Sequence, residues 1–71
     1  MIKMKRTIVT GASTQALRAE RHLRTAGIGA KTVKLSGIGG RGCVYGVEVD
    51  EIYLNEAIFI LIRLGIKYEV I

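Results

Sequence analysis

The passage Lys31-Thr32-Val33-Lys34-Leu35, then Ser36-Gly37-Ile38-Gly39-Gly40-Arg41-Gly42, then Cys43-Val44-Tyr45-Gly46-Val47-Glu48-Val49 decides how this chain folds. Its first part alternates, with Val33 and Leu35 on one face and Thr32 and Lys34 on the other, the pattern of a half-buried strand. Its last part alternates too, with Cys43, Tyr45, Val47 and Val49 on one side against Val44, Gly46 and Glu48. The first set is the better core face, because Glu48 belongs in water. Between the two strands lies a loop that holds four of the nine glycines and leads into the only cysteine.

Working outward, each strand of this pair is flanked by a helix and then by another strand. Upstream, Arg6-Thr7-Ile8-Val9-Thr10 is rich in β-branched residues and ends at Gly11, which reads as a central strand and a turn. Ser13 or Thr14 is then expected to cap a helix that runs to about Ala26 and stops at Gly27 and Gly29. Ala16, Ala19, Leu23 and Ala26 share one face of it, whereas Arg18, Arg21 and Thr25 face solvent. Such small buried side chains let a helix lie close on a sheet.

Downstream, Asp50 is expected to cap a second helix from about Glu51 to Leu64. Gly65 closes it, and a last strand covers Lys67 to Ile71. The order β-α-β-β-α-β is the split βαβ, or ferredoxin-like, sandwich: an α+β fold with two helices on one face of a four-stranded antiparallel sheet. Residues 1–71 form one such domain, with no linker, no low-complexity segment and no proline. The two βα units have similar lengths but show no clear sequence repeat.

The second helix carries more apolar surface than one core needs. Leu54, Ala57, Ile58, Leu61 and Leu64 make a sufficient core stripe, yet Ile52, Phe59, Ile60 and Ile66 lie on the opposite side among Asn55, Glu56 and Arg63. A helix apolar nearly all round is expected to be buried nearly all round. A domain of 71 residues is near the size at which folding removes only roughly 60% of the chain's surface from water. One cysteine and one histidine cannot supply a disulfide or a structural metal within one subunit. The surplus face therefore points to a homo-oligomer or a partner protein bound through the second helix.

The chain carries a net charge of +5, with a pI near 9.8, which raises nucleic acid, membrane surfaces and anionic small molecules as partners. Its longest apolar run, Ala57 to Ile62, is far short of the roughly 20 residues that cross a bilayer. The start, Met1-Ile2-Lys3-Met4-Lys5-Arg6, lacks a secretory apolar region, and the single cysteine suits a reducing cytoplasm. Nucleic-acid binding finds only electrostatic support. Arg41-Gly42-Cys43-Val44-Tyr45-Gly46-Val47 faintly echoes the third strand of an RNA-recognition domain, but Tyr45 shares the core parity instead of the open face. His22, on a basic helix face, reads as a surface residue.

The fold brings the chemistry-bearing residues to one end. The third strand lies beside the first and antiparallel to it, so its start at Cys43 meets the first strand's end, where the first helix begins. The unpaired N–H groups of that helix, around Ser13 and Thr14, would face the loop of Gly39, Gly40, Arg41 and Gly42. A thiol there would favour its thiolate, the condition for nucleophilic sulfur chemistry or for carrying a persulfide. The same donors would bind a phosphate or carboxylate. Two readings of Cys43 stand side by side: a reactive thiol at the rim, or a small apolar core residue on the parity of Tyr45, Val47 and Val49.

Several local strings resemble a family of small bacterial domains described as selenium/sulfur carrier-like. They are Ala16-Leu17-Arg18-Ala19-Glu20, Ala26-Gly27-Ile28, the Gly42-Cys43 pair after a Ser/Gly-containing loop, and Leu64-Gly65-Ile66 before a Tyr-containing strand. The likeness runs from Arg6 to Ile71. It implies a sulfur or selenium atom held on Cys43 as a persulfide or selenide, and enzymes that donate and accept it. The chain departs from the family's Gly-Cys-Gly pattern by having Val44 after the cysteine. The alternative is an oligomeric regulatory module that binds an anion at the loop without covalent chemistry. No catalytic dyad or metal constellation can be assembled within one subunit, so a carrier or binding protein is expected and not an enzyme.

Overall fold

The protein is described by a computed structural model over residues 4–36 and 43–71, with only the main chain described at Cys43. Strand β1 (Lys5–Gly11) leads into helix α1 (Ser13–Thr25), and β2 (Ala30–Ser36) is followed by β3 (Cys43–Asp50). A 3-10 turn (Glu51–Tyr53), helix α2 (Leu54–Arg63) and β4 (Glu69–Val70) complete the chain. The sheet order β2-β3-β1-β4, with every neighbouring pair antiparallel, is the ferredoxin-like arrangement. No helix among the described residues is long and apolar enough to cross a membrane.

The core forms where the helices meet one face of the sheet. Ile8, Val47, Val49 and Ala30 from the strands meet Ala19, Leu23, Ala57 and Leu61 from the helices, all of them buried. Ala16 is buried as well, whereas Ala26, expected on that stripe, is exposed at the helix end. Register decides the parity of β2. Thr32 opposes Val47 and Ala30 opposes Val49, so Ala30 and Thr32 face the helices. Val33 and Leu35 lie on the other face, opposite Gly46 and Val44. There they adjoin Val9, so this face carries an apolar cluster in which Val9 and Val44 are only 5% and 7% exposed.

Both helices end in the same way, and the ending corrects one expectation. After α1 the N–H of Ile28 donates to the Leu23 carbonyl at 2.9 Å, and that of Gly27 to Arg24 at 3.0 Å. After α2, Ile66 donates to Leu61 at 3.0 Å and Gly65 to Ile62 at 3.1 Å. Each is a Schellman motif, with the glycine at positive φ (84° at Gly27, 72° at Gly65). The motif folds the following isoleucine back over the last turn, against the leucine five residues earlier. Ile28 and Ile66 are therefore buried. Ile66 belongs to the core and not to the outer face of α2 as its helical position suggested; helical spacing no longer applies beyond the glycine. Ile60 is half-buried and packs against the core. Ile52 and Phe59 do stand out in solvent, 81% and 61% exposed, and Ile62 joins them at 57%. The two endings share a short repeat, Leu-x-x-x-Gly-Ile, at residues 23–28 and 61–66.

Helix starts and the last strand also differ from expectation. Ala12, in extended conformation, is the residue before α1, and no side chain caps the helix. Asp50 stands before the 3-10 turn without a side-chain cap. The final strand shortens to Glu69–Val70, continued by an Ile71 N–H bond to the Thr7 carbonyl at 3.1 Å.

The outer edge of β2 is guarded by α1. Glu20 accepts the Thr32 N–H at 2.7 Å, and one turn later the Arg24 Nε donates to the Ala30 carbonyl at 3.1 Å. These bonds occupy backbone groups that would otherwise offer a template to another strand.

Two substitutions test this packing. A Cβ at Gly46 would clash with the backbone carbonyl of Ile8 in β1. Gly46→Ala should therefore lower stability by about 1–3 kcal/mol, read as a drop in the urea midpoint. The buried Thr32 hydroxyl has no hydrogen-bond partner among the described residues. Thr32→Val should raise stability by about 1 kcal/mol in the same titration.

Candidate functional site

The site is assembled where β1 ends, α1 starts and β3 begins. Along β1 and β3 the pairing runs from Lys5 opposite Asp50 to Val9 opposite Gly46, then shifts so that Gly11 faces Tyr45. Thr10 is the extra residue of this bulge, and its hydroxyl donates to the Tyr45 carbonyl at 3.2 Å. A bulge of this kind increases local twist and re-aims the chain beyond it. Gly11 then takes φ 93°, which a residue with a side chain would adopt only under strain, and turns the strand toward the helix.

Ala12 has φ −76° and ψ 148°, the conformation of a residue that precedes a helix, but its methyl group offers no oxygen to the first turn. The first helical bond is from the Ala16 N–H to the Ala12 carbonyl, 3.1 Å. The N–H groups of Ser13, Thr14 and Gln15 precede that ladder. No acidic residue lies in the first turn, so the positive end of the helix dipole is uncompensated there. Ser13 and Thr14, expected to cap the helix, are its first exposed residues instead.

Cys43 opens β3, and its main chain pairs with Ser36 of β2. It is two residues from Tyr45 in sequence, and Tyr45 faces Gly11, the residue before Ala12. Backbone topology thus brings the start of β3 and the start of α1 to one end of the sheet. The Cys43 side chain and Gly39, Gly40, Arg41 and Gly42 lie outside the described residues. The bulge at Thr10 and the bare position at Ala12 were not anticipated, although the Thr-Gly pair closing a β-branched run was a signal for the first.

Elsewhere the outer face of α1 is basic. Thr14, Leu17, Arg18, Arg21, His22 and Thr25 line a shallow groove along it. Arg18, Arg21 and His22 are exposed, as their helical positions required. Tyr45 shares the helix-facing parity of Val47 and Val49, and Glu48 with Lys31 and Thr7 occupies the opposite face. Among the described residues of β1 and β3 no aromatic ring stands on the open face, so a base-stacking platform has no foundation there. No cluster of three or more His, Cys, Asp or Glu side chains that could hold a metal ion forms among the described residues. Comparison of the chain with protein-family models, with curated proteins and with solved structures finds no match in any of the three.

The uncapped start of α1 makes a sharp prediction. Ala12→Asp places an acceptor where the backbone is already extended, and should add about 1 kcal/mol of stability in urea unfolding. The same carboxylate would occupy the helix N-terminus and weaken binding of a small anion such as sulfate there, measured by the thermal shift the salt produces in each variant.

Proposed function

We propose that this protein is a non-catalytic carrier that holds a sulfur or selenium atom on Cys43. The observation that supports the reading is the convergence of the start of β3 with the uncapped, acid-free start of α1. A negative charge on sulfur near such a helix end is stabilised by free N–H groups and by the helix dipole. Arg41 adds a full positive charge two residues away in sequence. Those are the terms that lower a thiol's pKa and leave the thiolate, the reactive species, populated at neutral pH.

The loading step balances without an external oxidant. The Cys43 thiolate attacks the outer sulfur of a persulfide on a donor enzyme. A new S–S bond forms on Cys43, the donor's S–S bond breaks, and the donor's inner sulfur leaves as a thiolate that takes up a proton from water. Delivery is the reverse exchange onto an acceptor thiol. Selenium follows the same course through an S–Se bond. The protein contributes the thiolate and the positive surroundings that hold the terminal chalcogen's charge. Donor and acceptor enzymes are the implied partners, in a reducing compartment such as the cytoplasm.

Alkylation of the native protein across pH tests the reading. The rate should reach half its maximum at least one unit below the ordinary thiol value of about 8.5. Purification without reductant, or incubation with a persulfide donor, should add the mass of a sulfur or selenium atom, and Cys43→Ser should abolish the increment. A thiol that alkylates only near pH 8.5, or only after unfolding, rejects the carrier mechanism.

A further inference from the structure

Helix α2 leaves a patterned face uncovered. Phe59 stands roughly opposite the buried stripe of Ala57 and Leu61, Ile62 lies beside it three residues on, and Ile52 stands in the 3-10 turn before the helix, each more than half exposed. Their exposed parts make an apolar patch on the order of 400 Å², in the range where a monomer's largest patch is often functional. Glu56 and Arg63 lie beside Phe59 on the same exposed surface. They are two turns apart, too far to pair with each other along one helix. The ion pairs of Lys5 with Glu48 and of Arg6 with Glu51 involve neither Glu56 nor Arg63.

We infer that this face is a two-fold interface between two copies of the chain, with α2 packed antiparallel on α2 of the partner. The midpoint between Glu56 and Arg63 falls between Phe59 and Ile60. A two-fold axis at that level sets Glu56 opposite the partner's Arg63 and Arg63 opposite the partner's Glu56, with the Phe59 side chains meeting beside the axis. Two cross-subunit ion pairs form, each made of groups that have no ion-pair partner within one chain among the described residues. An isologous contact needs this self-complementarity.

Charge selects this face over the others. The chain carries +5 overall, so most ways of bringing two copies together oppose like charges. The outer side of α2 carries one acid and one base, and its contact is neutral. With flanking Asn55 included, two such patches bury on the order of 1,000 Å² in total, at the low end for specific interfaces, so a weak, reversible association is expected.

Sedimentation velocity of the full chain from about 1 to 200 µM, a range that brackets micromolar affinity, tests the inference. The expected result is a reversible monomer–dimer equilibrium that Phe59→Glu shifts wholly to monomer with the circular dichroism spectrum unchanged. Glu56→Arg alone or Arg63→Glu alone should weaken the dimer at least about tenfold, because each sets like charges across the axis. The double variant Glu56→Arg/Arg63→Glu should restore wild-type affinity, since both cross-pairs re-form with their signs exchanged. A monomer throughout that range overturns the inference, and so does a dimer indifferent to Phe59→Glu or a double variant no tighter than the singles. These surface charge changes do not depend on Phe59→Glu folding. None of these outcomes bears on Cys43, so the carrier reading stands or falls separately.

Discussion

The pairing of β1 with β3 is the constraint on which the rest of this structure depends. It places Ile8 against Val47 at the centre of the helix-facing surface, and it requires the two backbones to come so close at Gly46 that no side chain fits there. From that contact, the bulge at Thr10 follows one residue further on. The turn at Gly11 then launches α1 across the sheet. Residues far apart in sequence meet at this end because the central ladder has one register, and slipping it by a single residue would turn the core side chains of the shifted strand to the other face.

A second device, used twice, closes the core. Each helix ends in glycine followed by isoleucine, and each isoleucine is folded back onto a leucine of the last turn. The motif satisfies helix carbonyls that would otherwise be orphaned and adds a branched side chain to the core at the same point. In a domain this small, where buried apolar area is scarce, two such residues matter. The edge of β2 is managed with equal economy, since Glu20 and Arg24 come from the helix already packed beside that strand.

The proposed carrier site and the proposed dimer face use different parts of the fold. The first needs an open end of the sheet where other proteins can reach a thiol. The second uses the outer side of α2, which contributes nothing to that end in sequence. A carrier has to present its cargo to a donor and then to an acceptor. A small domain that gains stability by pairing through one helix leaves its sheet end available for that exchange.

The element order, the antiparallel sheet, the core stripes apart from Ala26 and the glycine stops were legible in the chain, because they rest on local periodicity and on turn chemistry carried by neighbouring residues. The parity of β2 was not. Val33 and Leu35 look like core residues by hydrophobicity, yet pairing with β3 gives the helix side to Ala30 and Thr32, since the close approach of α1 admits small residues there. Ile66 differs from its helical position for a related reason: the chain reverses at Gly65, so α-helical spacing ends there. The uncapped start of α1 also lay beyond sequence reading, because the bulge at Thr10 sets which residue precedes the first turn. Local chemistry named the pieces, and long-range register, which depends on contacts between residues distant along the chain, decided which way each one faces.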